Sequence, residues 1–223
     1  MVDELPHYSL VMAALNPPRH EIEAAIHSAL EQDIPPSEIV VIDDGSDEPL
    51  SLDGLFDPAI IRVHRQKNSG YGSAINAGIR LASRPVLSFL DHDDLWCAGK
   101  SRSQLDEIGR GFDVVLGSTE IVDERLTPPA YRVVGDSRVF GACMFKKSVF
   151  DEVGLLIEDA RTAEPFEWWS RFNEKSLQTS SVGQTVLRRR IHGANLGLRN
   201  PASSSADLIH RVRQHVERKQ SNA

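Results

Sequence analysis

The chain has 223 residues, of which 40% are hydrophobic and 26% are charged, and its formal net charge is -7 at pH 7. This length and composition fit a folded domain with a sizeable core, and they exclude a disordered or fibrous protein. The negative charge argues against nucleic acid as a partner, since binding to phosphates needs a basic surface.

The first half of the chain alternates apolar strands with amphipathic helices. Strands are predicted over residues 8–15, 38–43, 59–65 and 85–90, and helices over residues 19–33 and 70–83. In the second helical segment, Gly70, Gly72 and Gly78 are interpreted as allowing a tight loop and close packing of helix on strand. The alternation predicts βαβ units and a mainly parallel sheet with helices on both faces.

The second half is less regular. Helices are predicted over 101–108, 163–175 and 207–219, strands over 113–119 and 185–191, and a strand with a short helix within 138–154. We therefore expect one α/β domain over residues 1–200, with a Rossmann-like half at about 1–95 and an abutting half over 96–200. The second half would form the other wall of a cleft, and residues 201–223 are expected to form a tail helix.

Two cysteines and the hydropathy pattern bear on the compartment. Cys97 and Cys143 match neither a metal-type spacing nor a disulfide framework, which predicts free thiols in a reducing cytoplasm. No stretch approaches the roughly 18 apolar residues of a membrane span, and the N-terminus lacks the basic region of a signal peptide. We expect a cytoplasmic protein whose contact with the inner face of the membrane would be peripheral.

Two acidic clusters follow the second and fourth predicted strands. Their members are Asp43, Asp44, Asp47, Asp91, Asp93 and Asp94. Because ligands bind outside the carboxyl ends of parallel strands, both clusters fall on the edge of the sheet where a site is expected. Turn chemistry could explain the first cluster alone, and Asp94 could cap a helix. Both clusters on one edge favour a function.

The residue types at this edge favour a hard divalent cation. Mg²⁺ and Mn²⁺ take carboxylate oxygens, whereas no His/Cys cluster suits zinc. If the segment stays extended, His92 points away from Asp91 and Asp93, so we interpret it as a supporting residue rather than a ligand. The glycines of NSGYGSAINAGI match neither a phosphate loop nor the dinucleotide fingerprint.

The order of LVMAALN, EIVVIDDGSDE, NSGYGSAINAGI and SFLDHDDLW resembles family 2 glycosyltransferases with the GT-A fold. The resemblance continues through GACMFKKSVFDEVGLL, TAEPFEWWSRF and RRRIHGANLG, and so covers roughly residues 8–198. It implies metal-dependent, inverting transfer of a sugar from a nucleotide-diphosphate sugar to an acceptor hydroxyl. The acceptor would be a saccharide or a lipid-linked molecule, in glycan or polysaccharide biosynthesis.

The resemblance also assigns roles to residues. Asp44, with Asp43 beside it, would contact the nucleotide base or ribose, and Asp91-His92-Asp93 matches the D-x-D signature. Asp93, with Asp91, would hold Mn²⁺ or Mg²⁺. Together with the strand pattern, the resemblance gives these expected donor-binding residues: Ala13, Asn16, Asp43, Asp44, Asn68, Gly70, Asp91, His92, Trp96, Arg190, His192 and Asn195.

The catalytic base is where the sequence departs from the family. The family's acceptor-side helix usually begins with Glu-Asp, and the Asp is usually the base, but here Pro165 follows Glu164. Glu164 and Glu167 remain as candidates. We expect Glu164, which matches the family's Glu at a helix start, where a carboxylate is favoured. The alternative is that Glu164 only caps the helix and Glu167 is solvated.

Three further features leave alternatives open. Trp168 and Trp169 face about 100° apart on a helix, so one could line the acceptor cleft, although a core role is equally expected. Many relatives carry Arg where Ile75 stands, which leaves the donor sugar open. The basic helix over 207–219 has little large apolar surface, so it is expected to pack on the protein or support a homodimer rather than rest on a membrane.

Two other functions compete with sugar transfer. Pro165 in place of the usual Asp would fit a non-catalytic homologue that binds nucleotide sugars without turning them over. A metal-dependent phosphohydrolase is disfavoured, because the remaining acids supply no obvious second metal site.

Overall fold

A computed structural model describes residues 5–158 and 164–192 of the chain. The helices are α1 (Arg19–Leu30), α2 (Tyr71–Leu81), α3 (Lys100–Gly109), α4 (Ser148–Val153) and α5 (Glu164–Phe172). The strands are β1 (Tyr8–Ala14), β2 (Glu38–Asp43), β3 (Ile61–Arg65), β4 (Val86–Phe89), β5 (Leu95–Trp96), β6 (Val114–Asp123), β7 (Ala130–Ser137), β8 (Met144–Lys146) and β9 (Thr179–Ile191). The expected tail helix within 201–223 lies outside the described residues.

All of these strands join one sheet. Their order is β3-β2-β1-β4-β8-β6-β9-β5, and β7 pairs with β6. The half from β3 to β4 is parallel throughout, whereas β8 runs antiparallel to both β4 and β6. The predicted single α/β domain with a mainly parallel sheet is confirmed, and the parallel part meets the rest of the sheet where β8 pairs with β4.

The register of the parallel half places the strand ends at one edge. Ala14 of β1 pairs with Asp43 of β2, and Val11 pairs with Phe89 of β4. These strands are buried on both faces, as their continuous apolar sequences predict. The segments that follow β1, β2 and β4 therefore emerge side by side.

Helix α2 packs closely on this sheet through a glycine. A Cβ atom added to Gly78 would lie 2.3 Å from Val11 Cγ1, so a larger residue would push the helix off β1. Gly70, with φ of 92°, precedes the helix in a conformation that favours glycine. The interpretation of these glycines as packing and loop residues agrees with the structure.

Helix α5 is held by an aromatic cluster. Trp168 and Trp169 are both buried and pack on Phe140, Phe145 and Phe172. Their Nε1–H groups donate to the carbonyls of Gly154 (2.8 Å) and Arg138 (2.7 Å), which places both rings in the core. Of the two roles that the sequence left open, the structure therefore shows the core role for both tryptophans.

The second half contains two features that apolar periodicity did not predict. Strand β7 is exposed along nearly its whole length and exists through its pairing with β6. Strand β9 begins at Thr179 rather than 185, because its polar first residues pair with β6. Periodicity detects strands that bury one face, and these segments bury little.

Two expectations about compartment concern the described part of the chain. Cys97 and Cys143 are free thiols, as predicted. Among the helices that the structure describes, each is too short or too polar to cross a membrane.

Candidate active site

Three carboxylates gather in the turn that follows β4. Residues 92–93 form a turn, and the Asp94 N–H donates to the Asp91 carbonyl over 3.2 Å. Carboxylate oxygens of Asp91, Asp93 and Asp94 therefore all lie within 4.8 Å of one another. The segment is not extended, so the argument from strand alternation that set His92 apart does not apply, and His92 is half-buried.

Burial makes this cluster electrostatically unfavourable by itself. Burial raises the pKa of Asp91, and the neighbouring Asp93 charge raises it further. The pKa of Asp94 is raised well above its ordinary value by burial and then by Asp91 and Asp93. A divalent cation would offset this repulsion, and a set of close carboxylate oxygens suits Mg²⁺ or Mn²⁺. The residues present therefore fit the expected metal.

Strand β9 closes over the cluster. The Arg190 N–H donates to Asp94 Oδ1 over 3.0 Å, and His192 Nε2 lies 3.2 Å from Asp93 Oδ2. The structure thus brings His192 to the acids, as the sequence predicts. Asn195 lies outside the residues that the structure describes.

The arginine near the acids differs from the one that the sequence singled out. The Arg190 side chain contacts Glu21 of α1 over 3.0 Å, so it points to that helix. The Arg189 charge instead acts on the acids, since it offsets part of the rise in the pKa of Asp91 and Asp94 that burial and the neighbouring carboxylates cause. On a strand, Arg189 faces the opposite side from Arg188 and Arg190, and that alternation is a signal in the sequence that could have identified it.

The first acidic cluster holds loops together. Asp43 is fully buried and accepts hydrogen bonds from the N–H groups of Ser46 (2.8 Å) and Leu50 (3.1 Å). Its carboxylate also lies 3.4 Å from the Arg65 guanidinium. Burial raises the pKa of Asp43, but these hydrogen bonds and then Arg65 outweigh it and lower the pKa below its usual range.

Asp44 fixes the loop that leads into α2. Its oxygens accept hydrogen bonds from the N–H groups of Ser69 (2.9 Å) and Gly70 (2.9 Å) and from the Gln66 side chain (2.8 Å). A Cβ atom on Gly45 would lie 2.6 Å from the Asn68 backbone nitrogen, so the two loops are in close contact. Asp44, Asn68 and Gly70 are therefore neighbours at the edge of the sheet.

The loop after β1 joins the same edge. The Asn16 N–H donates to Ser46 Oγ over 2.9 Å, and Asn16 Oδ1 accepts from the Asp47 N–H over 2.8 Å. Asn16 has a φ of 47°, a conformation that Asn tolerates better than most residues. Ala13 lies one pair before the end of β1, opposite Ile42.

Trp96 follows the acids in sequence but lies in the core. Its ring packs 6.3 Å from Tyr8 and beneath the Lys100 ammonium, and its Nε1–H donates to the Gly141 carbonyl over 3.2 Å. The structure therefore separates Trp96 from the acid turn, because the side chain at the end of β5 turns inward.

Tyr71 is a residue at the acid turn that the sequence reasoning missed. It is the first residue of α2, and its hydroxyl lies close enough to the Asp91 carboxylate for each group to shift the pKa of the other. Burial raises the pKa of Tyr71 strongly, and the nearby charges of Asp91 and Glu164 add to that effect. Tyr71 thus lies within electrostatic reach of both the acid turn and the first residue of α5.

The two candidate bases on α5 have different surroundings. Glu164 is 1% exposed, and its Cγ would lie 3.2 Å from a Cβ atom on Gly72. Glu167 is 5% exposed, and both of its oxygens lie within 3.0 Å of the Arg171 guanidinium. The alternative in which Glu167 is solvated is wrong, since Glu167 is buried and forms an ion pair within α5.

A protein-family model described as Glycosyl transferase family 2 matches residues 9–133, which is more than half of the chain. An uncharacterized glycosyltransferase of Rickettsia typhi is 27% identical over 213 residues, covering 85% of this chain and 65% of that protein. The succinoglycan biosynthesis protein ExoO of Rhizobium meliloti is 31% identical over 124 residues, covering 54% of this chain and 35% of its own length.

A solved structure shares the fold. The crystal structure of S. aureus TarS matches with a TM-score of 0.69 at 16% identity, covering 84% of this chain and 37% of that one. This likeness confirms the predicted GT-A fold. The chain spans about two thirds of the length of its Rickettsia relative and less than half of the other two proteins.

Proposed function

The chain belongs to glycosyl transferase family 2, and from that premise we propose that it transfers a sugar from a nucleotide-diphosphate sugar to an acceptor hydroxyl. One observation carries the proposal: the acid turn after β4 and the first carboxylate of α5 both lie within reach of Tyr71. The carboxylates proposed to bind the donor and the carboxylate proposed to act on the acceptor thus lie on either side of Tyr71. We propose that the transfer inverts the anomeric centre.

We propose that Asp91 and Asp93, supported by Asp94, hold Mn²⁺ or Mg²⁺. Such an ion, when bound, supplies Lewis-acid stabilisation of the negative charge on a departing diphosphate. His192 beside Asp93 orients that carboxylate, and the Arg190 N–H fixes Asp94. Their hydrogen bonds keep the carboxylates in position in the absence of a donor.

The nucleotide end of the donor would lie along the loops at the ends of β1 and β2. Asp44 fixes the loop containing Asn68 and Gly70, and Asn16 ties the first loop to the second. We propose that this joined surface, with Ala13, receives the base and ribose. Its hydrogen bonds support the proposal, since a preformed loop binds a ligand without a large ordering cost.

We infer that Glu164 is the base that takes the proton of the acceptor hydroxyl. The Arg171 guanidinium engages both oxygens of Glu167, so that carboxylate is committed to an ion pair. Glu164 instead lies against α2 beside Tyr71. A base on the acceptor side must lie within hydrogen-bond reach of the attacking hydroxyl, and the first residue of α5 is the better placed of the two.

The acceptor is proposed to be a saccharide or a lipid-linked molecule of polysaccharide biosynthesis. The name of ExoO, which is similar over half of this chain, supports this class. Two free cysteines fit a reducing cytoplasm, where we propose that the protein acts, at the inner face of the membrane when the acceptor is lipid-linked.

The proposal is tested with a panel of donors and Mn²⁺. Thermal shift with UDP-glucose, UDP-galactose, UDP-N-acetylglucosamine, GDP-mannose and dTDP-rhamnose identifies the donor, because a ligand of the folded state raises its stability. We then expect Asp93→Ala to lower metal-dependent release of nucleoside diphosphate by about 100-fold or more. Asp53→Ala, which removes an exposed carboxylate after β2, is the control and should retain full turnover.

Full metal-dependent turnover by Asp93→Ala would contradict the proposal. Donor binding without turnover in the unmodified protein, together with unchanged behaviour of Glu164→Gln, would instead identify a non-catalytic nucleotide-sugar-binding homologue.

A further inference from the structure

Residues 153–158, which we call the linking segment, leave α4 and run over α2 and α5. Helix α5 holds one side of it. Arg171 donates hydrogen bonds to the carbonyls of Val153 and Leu155, the latter over 2.7 Å, and Trp168 Nε1–H donates to the Gly154 carbonyl over 2.8 Å. The Glu167 ion pair orients Arg171 for this contact.

Helix α2 holds the other side through one buried amide. Asn76 is 1% exposed, and its Nδ2–H donates to the Leu156 carbonyl over 2.8 Å while its Oδ1 accepts from the Leu156 N–H over 2.9 Å. The Nδ2 group also donates to Glu158 Oε1 over 2.9 Å. This side chain therefore makes the pair of hydrogen bonds that a neighbouring strand would make with Leu156.

The linking segment and Glu164 touch α2 at the same place. A Cβ atom on Gly72 would lie 2.3 Å from the Ile157 carbonyl oxygen and 3.2 Å from Glu164 Cγ. Gly72 lies four residues before Asn76, which is about one helical turn. The segment that Asn76 anchors thus packs directly beside the carboxylate-bearing side chain of α5.

The same helix also reaches the donor side. Tyr71, at its first position, lies beside Asp91 of the acid turn, near enough for the two groups to shift the pKa of one another. One rigid helix therefore contacts both the acids of the donor site and the carboxylate proposed as the base. The distance between the two is set by how firmly α2 is attached to the linking segment.

We infer that Asn76 is a positioning residue for the transfer reaction: by fixing Leu156 against α2 it holds Glu164 at its working distance from the acid turn. This inference rests on the proposed function of Glu164. Misplacement of a reacting group by about 1 Å can lower a rate by about 100-fold, so a lost anchor is expected to reduce turnover rather than donor binding.

The test compares Asn76→Ala with a matched control, Gln32→Ala. Gln32 is also a buried amide that makes three hydrogen bonds, to Ser28, Cys97 and Ser101, but on the far side of the sheet from α2. We expect both variants to lose a similar few degrees of melting temperature. Asn76→Ala should lower kcat by about 10- to 100-fold with an unchanged donor KM, whereas Gln32→Ala should keep kcat within about twofold.

Two readouts separate positioning from general damage. In a Glu164→Gln background, Asn76→Ala should cause no further loss of kcat, because residues that act through one another are not additive. Amide hydrogen exchange at Leu156 should accelerate in Asn76→Ala and stay unchanged in Gln32→Ala, and calorimetry with UDP and Mn²⁺ should give the same Kd for all variants. Should Asn76→Ala fail to fold, Asn76→Asp takes its place, since it keeps the side-chain shape and the acceptor for the Leu156 N–H. It is then measured alone and in the Glu164→Gln background in the same way.

Full multiplicative loss of kcat in the Glu164→Gln background, or a weakened Kd for UDP and Mn²⁺ in Asn76→Ala, would overturn the positioning role. Absence of turnover in the unmodified protein with every donor would overturn the proposed function instead, so the two failures are distinguishable.

Discussion

The acids proposed for the donor side and the carboxylate proposed for the acceptor side are held in place in different ways. Asp44 and the acid turn follow directly after β2 and β4, and most of their contacts are with backbone groups of nearby loops. Glu164 instead packs against Gly72 of α2, a residue that is distant from it in the sequence. Local loop chemistry builds one wall of the site, and long-range packing builds the other.

Because of this difference, substitutions on the two sides of the site should affect different steps of the reaction. On the donor side, removal of a carboxylate changes the charge that meets a cation or a nucleotide, so binding should suffer. On the acceptor side, small displacements change the distance between a base and a hydroxyl, so turnover should suffer while binding persists.

The largest expected effect separates the two carboxylates of α5. Glu164→Gln removes the proposed proton acceptor at constant shape, and kcat should fall by about 100- to 10,000-fold with donor KM nearly unchanged. Glu167→Gln weakens a buried ion pair with Arg171, so its main effect should be a lower melting temperature and a less than tenfold change in kcat. Steady-state kinetics and thermal denaturation of both variants measure this.

A reversed result, in which Glu167→Gln abolishes turnover and Glu164→Gln does not, would move the base one turn along α5. It would also show that the Arg171 ion pair opens when the acceptor binds. Asn173→Ala, an exposed change just beyond the end of the same helix, is the control for general effects on α5.

A smaller effect is expected on the donor side from Asp44→Asn. Asp44 accepts backbone hydrogen bonds from Ser69 and Gly70, and each charge-assisted bond contributes about 1.5–3 kcal/mol. We expect donor KM to rise about tenfold with little change in kcat, because the loop proposed to receive the nucleotide loosens. Asp43→Asn should lower stability to a similar degree but raise KM less, since Asp43 is wholly enclosed. Equal rises in KM would show that both acids act only through loop stability.

The sequence predicts the donor wall better than the acceptor wall for physical reasons. Apolar runs alternating with amphipathic helices predict β1 to β4, and parallel strand ends must share an edge, so the two acidic clusters could be placed together. The sequence placed Asp94 in the same cluster as Asp91 and Asp93, but strand alternation could not predict that all three carboxylates converge, because a turn rather than an extended strand brings their oxygens together. Side chains alternate between the two faces of a sheet only within an extended strand, so the pattern gives no positions for residues in the turn after it.

Other features depend on packing distances that spacing does not encode. Trp96 follows the acids but turns inward to Tyr8, and Arg190 is drawn to Glu21 while Arg189 acts on the acids. The choice between Glu164 and Glu167 depends on Arg171, four residues beyond Glu167 on the same helix. The spacing of four residues between Glu167 and Arg171 could have predicted the ion pair, but the sequence does not show that the pair is buried.

The smallest expected effect on catalysis concerns the seam between the two halves of the sheet, where β4 pairs with β8. Lys100 is fully buried, and its ammonium donates to Ser88 Oγ of β4 over 3.1 Å and to the Cys143 carbonyl before β8 over 3.3 Å, while Gln104 accepts a third bond. Burial lowers the pKa of Lys100 to about 7, whereas an unfolded lysine titrates near about 10.4. The seam therefore contains a group whose protonation depends on folding.

Between these two pKa values the unfolded chain binds a proton that the folded protein does not, so stability from Lys100 rises with pH across that window. Below about pH 7 both states are protonated, and the folded protein bears the full cost of a buried charge. Lys100→Met removes this dependence. Denaturant unfolding at pH 7.5 and 9.5 should show the free energy of unfolding of the unmodified protein rising by roughly 2–3 kcal/mol relative to the variant. If the free energy of unfolding changes equally with pH in both proteins, the prediction is wrong. The three hydrogen-bond acceptors would then keep Lys100 protonated in the folded protein, as a buried ammonium rather than a neutral amine.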